Sequence, residues 1–165
     1  MLYIKAGTLL KPLLYGGGQE KGLRSGTENI ALIAGTVAAL LQTDKMRTTE
    51  SRRMQDLQKY FMEKLSKIDQ VTINGSLKHR IPNNVHITIV GFDNETLVMQ
   101  LDELGILAAT GSACHASNDE PSAVLHALGL SDEQAHSSIR FSMGRTTTKK
   151  DLDATVAALS KCLHR

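Results

Sequence analysis

Hydrophobic positions along the chain follow two rhythms. In "NVHITI", Val85, Ile87 and Ile89 alternate with His86 and Thr88, which predicts a strand with one apolar and one polar face. "SIRFS" repeats the alternation: Ile139 and Phe141 turn to the core and Arg140 turns away. Elsewhere the spacing is helical. Met54, Leu57, Phe61, Leu65 and Ile68 recur every three or four residues opposite a charged face. Ile30, Ile33, Val37 and Leu41 predict an earlier helix from about Thr27 to Gln42, and the polar stretch "TDKMRTTES" between the two predicts a hinge. Leu97, Val98, Leu101 and Leu104 mark a helix capped by Asp93 and stopped by Gly105. Leu152, Val156, Leu159 and Leu163 mark a last helix opened by Thr148 and Asp151.

Shorter signals fill the gaps. "LYIK", Val71 to Ile73 and "ILAA" read as strands. Pro121 suits the first turn of a helix that Gly129 ends, and Ser131 with Gln134 has capping-box spacing. Strands alternate with helices, yet "NVHITI" requires a sheet with one polar face. The pattern therefore predicts a two-layer α/β sandwich over residues 46–165, with residues 1–45 as a separate piece.

Composition narrows the function classes. The 165 residues are 41% apolar and 22% charged, as in a globular protein that buries a core. A net charge of +2 with mixed signs gives no basic stripe for nucleic acid. No apolar run is long enough to span a bilayer, and no secretory leader pattern is present, so no membrane association is expected. Cys114 and Cys162, far apart in sequence, fit free thiols in a reducing cytoplasm.

Three places could carry chemistry. Cys114 sits among Gly111, Ser112, Ala113 and Ala116 after a predicted strand. A small buried hydrophobe is the plainer reading of a cysteine, whereas an accessible thiol on a pliant loop is the chemical one, and the residues leave both open. The adjacent His115 does not make a zinc spacing. Cys162, on the last helix between Leu159 and Leu163, reads as core. Arg140 is either an ordinary surface arginine or a planar fork for a carboxylate, and Arg145 caps a loop or binds an anion. "GGGQEKGLRSGTEN" is either a flexible loop or a phosphate cradle in which Gly26 admits the backbone and Thr27 offers a hydroxyl; it is neither the P-loop nor the dinucleotide pattern.

In order, "LYIKAGTLLKPLLYGGGQEKGLRSGTENIALIAG", "GSACHASNDEPSAVLHALGL" and "SSIRFSMGRTTTKKDLD" resemble the C-terminal portion of the cysteine desulfurases, pyridoxal-phosphate enzymes of the class-V aminotransferase group. The resemblance implies the small C-terminal domain of the type I pyridoxal-phosphate transferase fold, over residues 46–165, preceded by a remnant of the large domain. It implies removal of sulfur from L-cysteine, giving L-alanine and a persulfide on Cys114, with Arg140 holding the substrate carboxylate. Thr27 would donate to the cofactor phosphate across a homodimer interface, with Arg24, Ser25 and Gly26 shaping the loop; Glu120 and Pro121 would be structural. The "GSAC" motif points to the branch that passes sulfur to an iron–sulfur scaffold or another acceptor protein, where Cys114 would briefly touch a nascent cluster.

In the family the cofactor-binding lysine stands in a His-Lys pair just before the "LYIK"-like strand. No His-Lys pair occurs in these residues, and Lys5, Lys11 and Lys21 lie past that position. The resemblance thus leads one to expect a chain that desulfurises nothing by itself and works with an upstream half, or else serves as a non-catalytic interaction or sulfur-relay module.

Overall fold

Alternating β-branched residues need a partner on each side, and in the computed structural model they find one. The structure describes residues 1–110 and 122–164. The chain divides into two compact units, Met1–Met46 and Arg47–Arg165.

In the second unit, β1 (Val71–Ile73), β2 (Asn84–Ile89), β3 (Ala109–Thr110) and β4 (Ser138–Ser142) form a sheet of order β1-β2-β4-β3. Every pairing is antiparallel. The apolar face of the central strands holds Val85, Ile87, Ile89, Ile139 and Phe141, all buried. Three helices supply the opposing layer: α1 (Ile30–Leu65), through its last turns, α2 (Asn94–Glu103) and α5 (Lys149–Leu163). Met54, Leu57, Phe61 and Leu65 are the buried apolar stripe of α1, as their spacing predicts, and Ile68 packs beside them. Phe61 meets Phe141 edge to face, with ring centroids 5.4 Å apart, a geometry that aromatic quadrupoles favour. Cys162 is buried in the same core. This is the two-layer α/β arrangement.

The caps explain where helices begin. Asp93 accepts from the Thr96 N–H at the start of α2. Ser131 with Gln134, and Thr148 with Asp151, form reciprocal capping boxes on α4 (Asp132–His136) and α5. Gly105, at φ +76°, takes the left-handed turn that stops α2.

Four expectations are corrected. "LYIK" is not a strand, because no other strand pairs with it; Leu2 and Tyr3 stand exposed. "TDKMRTTES" is not a hinge but part of α1, which runs unbroken for 36 residues. The segment is polar yet holds no glycine or proline, and Thr43 Oγ1 bonds back to the Ala39 carbonyl at 2.8 Å within the helix. The start of α1 is Ile30, not Thr27, with the Asn29 side chain accepting from the Leu32 N–H. The third strand falls on Ala109–Thr110, later than "ILAA". The helix expected after Pro121 is the short α3 (Ala123–Ala127).

In the first unit, a turn of 3-10 helix over Glu20–Gly22 precedes α1. No apolar residue of this unit is buried.

Candidate functional site

The polar face of the sheet is not a plain solvated surface. On β2 and β4, His86 stands opposite Arg140 in register, and Thr88 opposite Ser138. Period-two alternation puts all four on the face away from the helical layer. Thr88 and Ser138 are buried, at 2% and 0% exposure, together with Asn74, which follows β1.

These groups form one hydrogen-bonded cluster that ends on the His86 ring. Ser138 Oγ lies 2.6 Å from the Gln134 carbonyl oxygen, which can only accept, so the serine proton goes there. The Thr88 hydroxyl proton has two acceptors in reach, Ser138 Oγ at 2.7 Å and Asn74 Oδ1 at 3.0 Å. With either acceptor, Thr88 Oγ1 receives a hydrogen from Asn74 Nδ2, at 2.8 Å. The other Nδ2 hydrogen goes to His86 Nδ1, also at 2.8 Å. His86 Nδ1 is therefore an acceptor and the ring carries its proton on Nε2. That Nε2 is buried and has no partner among the described residues.

Electrostatics agree with the wiring. Burial first, then the positive charges of Arg140 and Arg80, push the His86 pKa down to about 4, so the ring is neutral at physiological pH. Arg80 is itself held below the usual guanidinium range by burial; its Nη2 donates to the Asn74 carbonyl at 3.1 Å, and its Nε is buried without a partner. The Arg140 guanidinium makes no hydrogen bond to a described residue and shares with His86 a cavity of about 380 Å³. Asn74, His79 and Arg80 line one side of it, and Val124, Leu125 and Leu128, from α3 and the residue that ends it, line another. A half-buried guanidinium beside a neutral N–H donor suits a small carboxylate.

On its other side Arg140, on β4, pairs with Ala109 of β3. In the sequence Ala109 shortly precedes Cys114. Cys114, His115, Glu120 and Pro121 lie outside the described residues.

The glycine-rich loop is a site of its own within the first unit. Ser25 is buried and its N–H donates to the Leu14 carbonyl at 3.3 Å. Gly26 has φ +116°, and its N–H donates to Gln19 Oε1 at 3.0 Å. A Cβ at Gly26 would lie 2.6 Å from the Arg24 Nη1, so the glycine leaves room for the guanidinium as well as for the turn. Thr27 is exposed beside it. The expected phosphate cradle is thus altered, since the Gly26 N–H already has an acceptor. The Thr27 hydroxyl remains, with the Arg24 guanidinium, whose Nη1 donates to the Ser25 carbonyl at 3.0 Å and whose other N–H groups complete a donor set that fits a phosphate.

Arg145 is exposed, on a loop that Arg53 of α1 holds by donating to the Gly144, Arg145 and Thr147 carbonyls at 3.1, 3.0 and 2.8 Å. Among the described residues no group of His, Cys, Asp or Glu side chains could hold a metal ion. Alternation puts His86 on the polar side of its strand but gives it no role, and Asn74, which ends the first predicted strand, Arg80 and His79 carry no expected chemistry. Alternation was the one signal available for His86, because the partners that wire it come from other elements.

With this geometry in hand, comparison with known proteins decides the family. The profile of the class-V aminotransferases ("Aminotransferase class-V") matches residues 1–155. The chain belongs to that family. Cysteine desulfurase IscS of Dictyoglomus turgidum is 40% identical over 169 residues, and cysteine desulfurase IscS 1 of Archaeoglobus fulgidus is 38% identical over 164. Each alignment takes in 99% of the chain but only 42% and 43% of the relative, so the chain spans about two fifths of their length. Among solved structures, a NifS-like protein from Rickettsia africae superposes with a TM-score of 0.80 at 34% identity, covering 96% of this chain and 41% of that one. Another NifS-like protein gives 0.85 at 27%, covering 98% and 41%. For a class-V aminotransferase, the two-layer α/β architecture of the second unit is thus a fold shared with solved relatives.

Proposed function

We propose that this chain is the sulfur-accepting, carboxylate-anchoring portion of a pyridoxal-phosphate-dependent cysteine desulfurase. The observation that carries the reading is the Arg140 guanidinium, without a hydrogen-bond partner among the described residues, in a cavity on the strand that pairs with Ala109. Ala109 leads in sequence to Cys114.

Arg140 grips the α-carboxylate of L-cysteine and sets its orientation. The Cys114 thiolate attacks the substrate sulfur; an S–S bond forms as the substrate C–S bond breaks, and the carbon takes a proton to leave as L-alanine. Pyridoxal phosphate, when bound, supplies the sink for the electron pair released at carbon. Thr27 and Arg24, with Ser25 and Gly26 shaping the turn, hold the cofactor phosphate of a partner subunit in a homodimer. The persulfide then passes to an acceptor such as an iron–sulfur scaffold protein, with Cys114 in brief contact with the forming cluster. A cytoplasmic setting suits a reactive thiol. No helix among the described residues is long and apolar enough to cross a membrane.

Sulfur relay without turnover is the second reading, since an acceptor thiol at Cys114 requires a sulfur donor but no cofactor of its own. One experiment separates the two. The chain is given pyridoxal phosphate and sulfur-labelled L-cysteine, either with the lysine-bearing upstream portion of a cysteine desulfurase or with a full-length one. Label on Cys114 that disappears in Cys114→Ser is expected under both readings. L-alanine release that depends on Arg140 and Cys114 marks the enzyme portion; label arriving only from the full-length enzyme marks the relay. Labelling unchanged in Cys114→Ser would sink both.

A further inference from the structure

The hydrogen-bonded cluster under the sheet ends on an N–H with no acceptor among the described residues. Ser138, Thr88 and Asn74 spend buried donors and acceptors to hold one ring in one tautomer. Its remaining hydrogen, on His86 Nε2, is buried with no protein acceptor among the described residues. A buried donor left unsatisfied is destabilising, so an acceptor is expected to meet it in the working protein. The ring lines the same cavity as Arg140 and faces it in register.

We propose that His86 is a second carboxylate-binding residue beside Arg140, its Nε2–H donating to an oxygen of the carboxylate that the guanidinium grips. The inference rests on the reading of Arg140 as the carboxylate anchor and deepens it. A carboxylate offers about four lone-pair directions and a bidentate guanidinium uses two, so a further donor is accommodated. Neutrality is part of the device. A protonated ring would place a donor on Nδ1 against the Asn74 Nδ2–H and would add a like charge beside Arg140 and Arg80. As wired, the ring adds a donor without adding charge, and Arg80 secures the Asn74 backbone from the other side.

Nitrogen-15 NMR of the full chain tests this at two levels. Long-range proton–nitrogen correlations are expected to place the His86 proton on Nε2. Titration with L-alanine, which has the carboxylate but no thiol, is expected to shift the His86 ring and Arg140 side-chain signals, while ethylamine does not. His86→Phe should weaken L-alanine binding about tenfold, the equivalent of about 1.4 kcal/mol, and His86→Gln, which keeps an N–H donor, should recover part of the loss. If His86→Phe does not fold, the tautomer and His86→Gln carry the test. A proton on Nδ1, no response to L-alanine, or wild-type affinity in His86→Phe overturns the inference. In the last case, loss of binding in Arg140→Gln leaves Arg140 standing as the anchor, whereas wild-type binding in Arg140→Gln overturns that reading as well.

Discussion

His86 is one residue whose chemistry is set by others. Burial and the neighbouring Arg140 and Arg80 hold its pKa at about 4, against an ordinary value of 6.5. The folded chain therefore takes up a proton at this site less readily than the unfolded one. The stability this contributes is complete above about pH 6.5 and is lost progressively as the pH falls toward about 4. His79 also lines the cavity. Urea unfolding between about pH 7 and about pH 4.5 should show a decline in stability that is visibly shallower in His86→Gln. Equal slopes in the two proteins would mean that His86 is not the group responsible.

At the scale of elements, local chemistry and tertiary contacts divide the work. Thr148 accepts from the Asp151 N–H while Asp151 accepts from the Thr148 N–H, so Thr148→Ala strips α5 of a reciprocal cap. The expected loss is about 1 kcal/mol, read by chemical denaturation, with activity and cavity untouched. Such caps were legible because a short polar side chain and its target lie within a few residues of each other. The alternation of Val85, Ile87 and Ile89 was legible for the same reason. "LYIK" misled because a strand is a property of a pair: its apolar residues are right for a ladder that has no second rail. "TDKMRTTES" misled because polarity was read as a break, although helices end for want of backbone compatibility rather than of apolar side chains. The buried polar face escaped altogether. Nothing in the spacing of Asn74, Thr88 and Ser138 announces that they meet, since the turn after β1, the middle of β2 and the start of β4 come together only in the sheet. For the candidate site, Arg140 could be singled out from "SIRFS", whereas the wiring of His86 required three elements at once.

For the whole molecule, the distribution of the core is telling. Every buried apolar residue, from Met54 to Leu163, belongs to the unit Arg47–Arg165. Residues 47–165 produced alone should consequently unfold cooperatively at a denaturant midpoint close to that of the full chain, checked by circular dichroism. A large drop in the midpoint would show that the first unit supplies stability of its own. The exposed Ile30, Leu32, Ile33, Val37, Leu40 and Leu41 of α1 contribute no interior to the fold.

His86 and Arg140 stand on β2 and β4, the two middle strands of the sheet, each flanked on its other side by an outer strand. Their backbone anchors are thus held at the separation of directly opposed antiparallel residues, about 4.5–5.5 Å. Loops can widen or narrow around a guest, but ladder partners cannot drift apart unless the ladder itself opens. The paired anchors act as a caliper with locked jaws, and what enters between them is sorted by how well its oxygens match that fixed gauge.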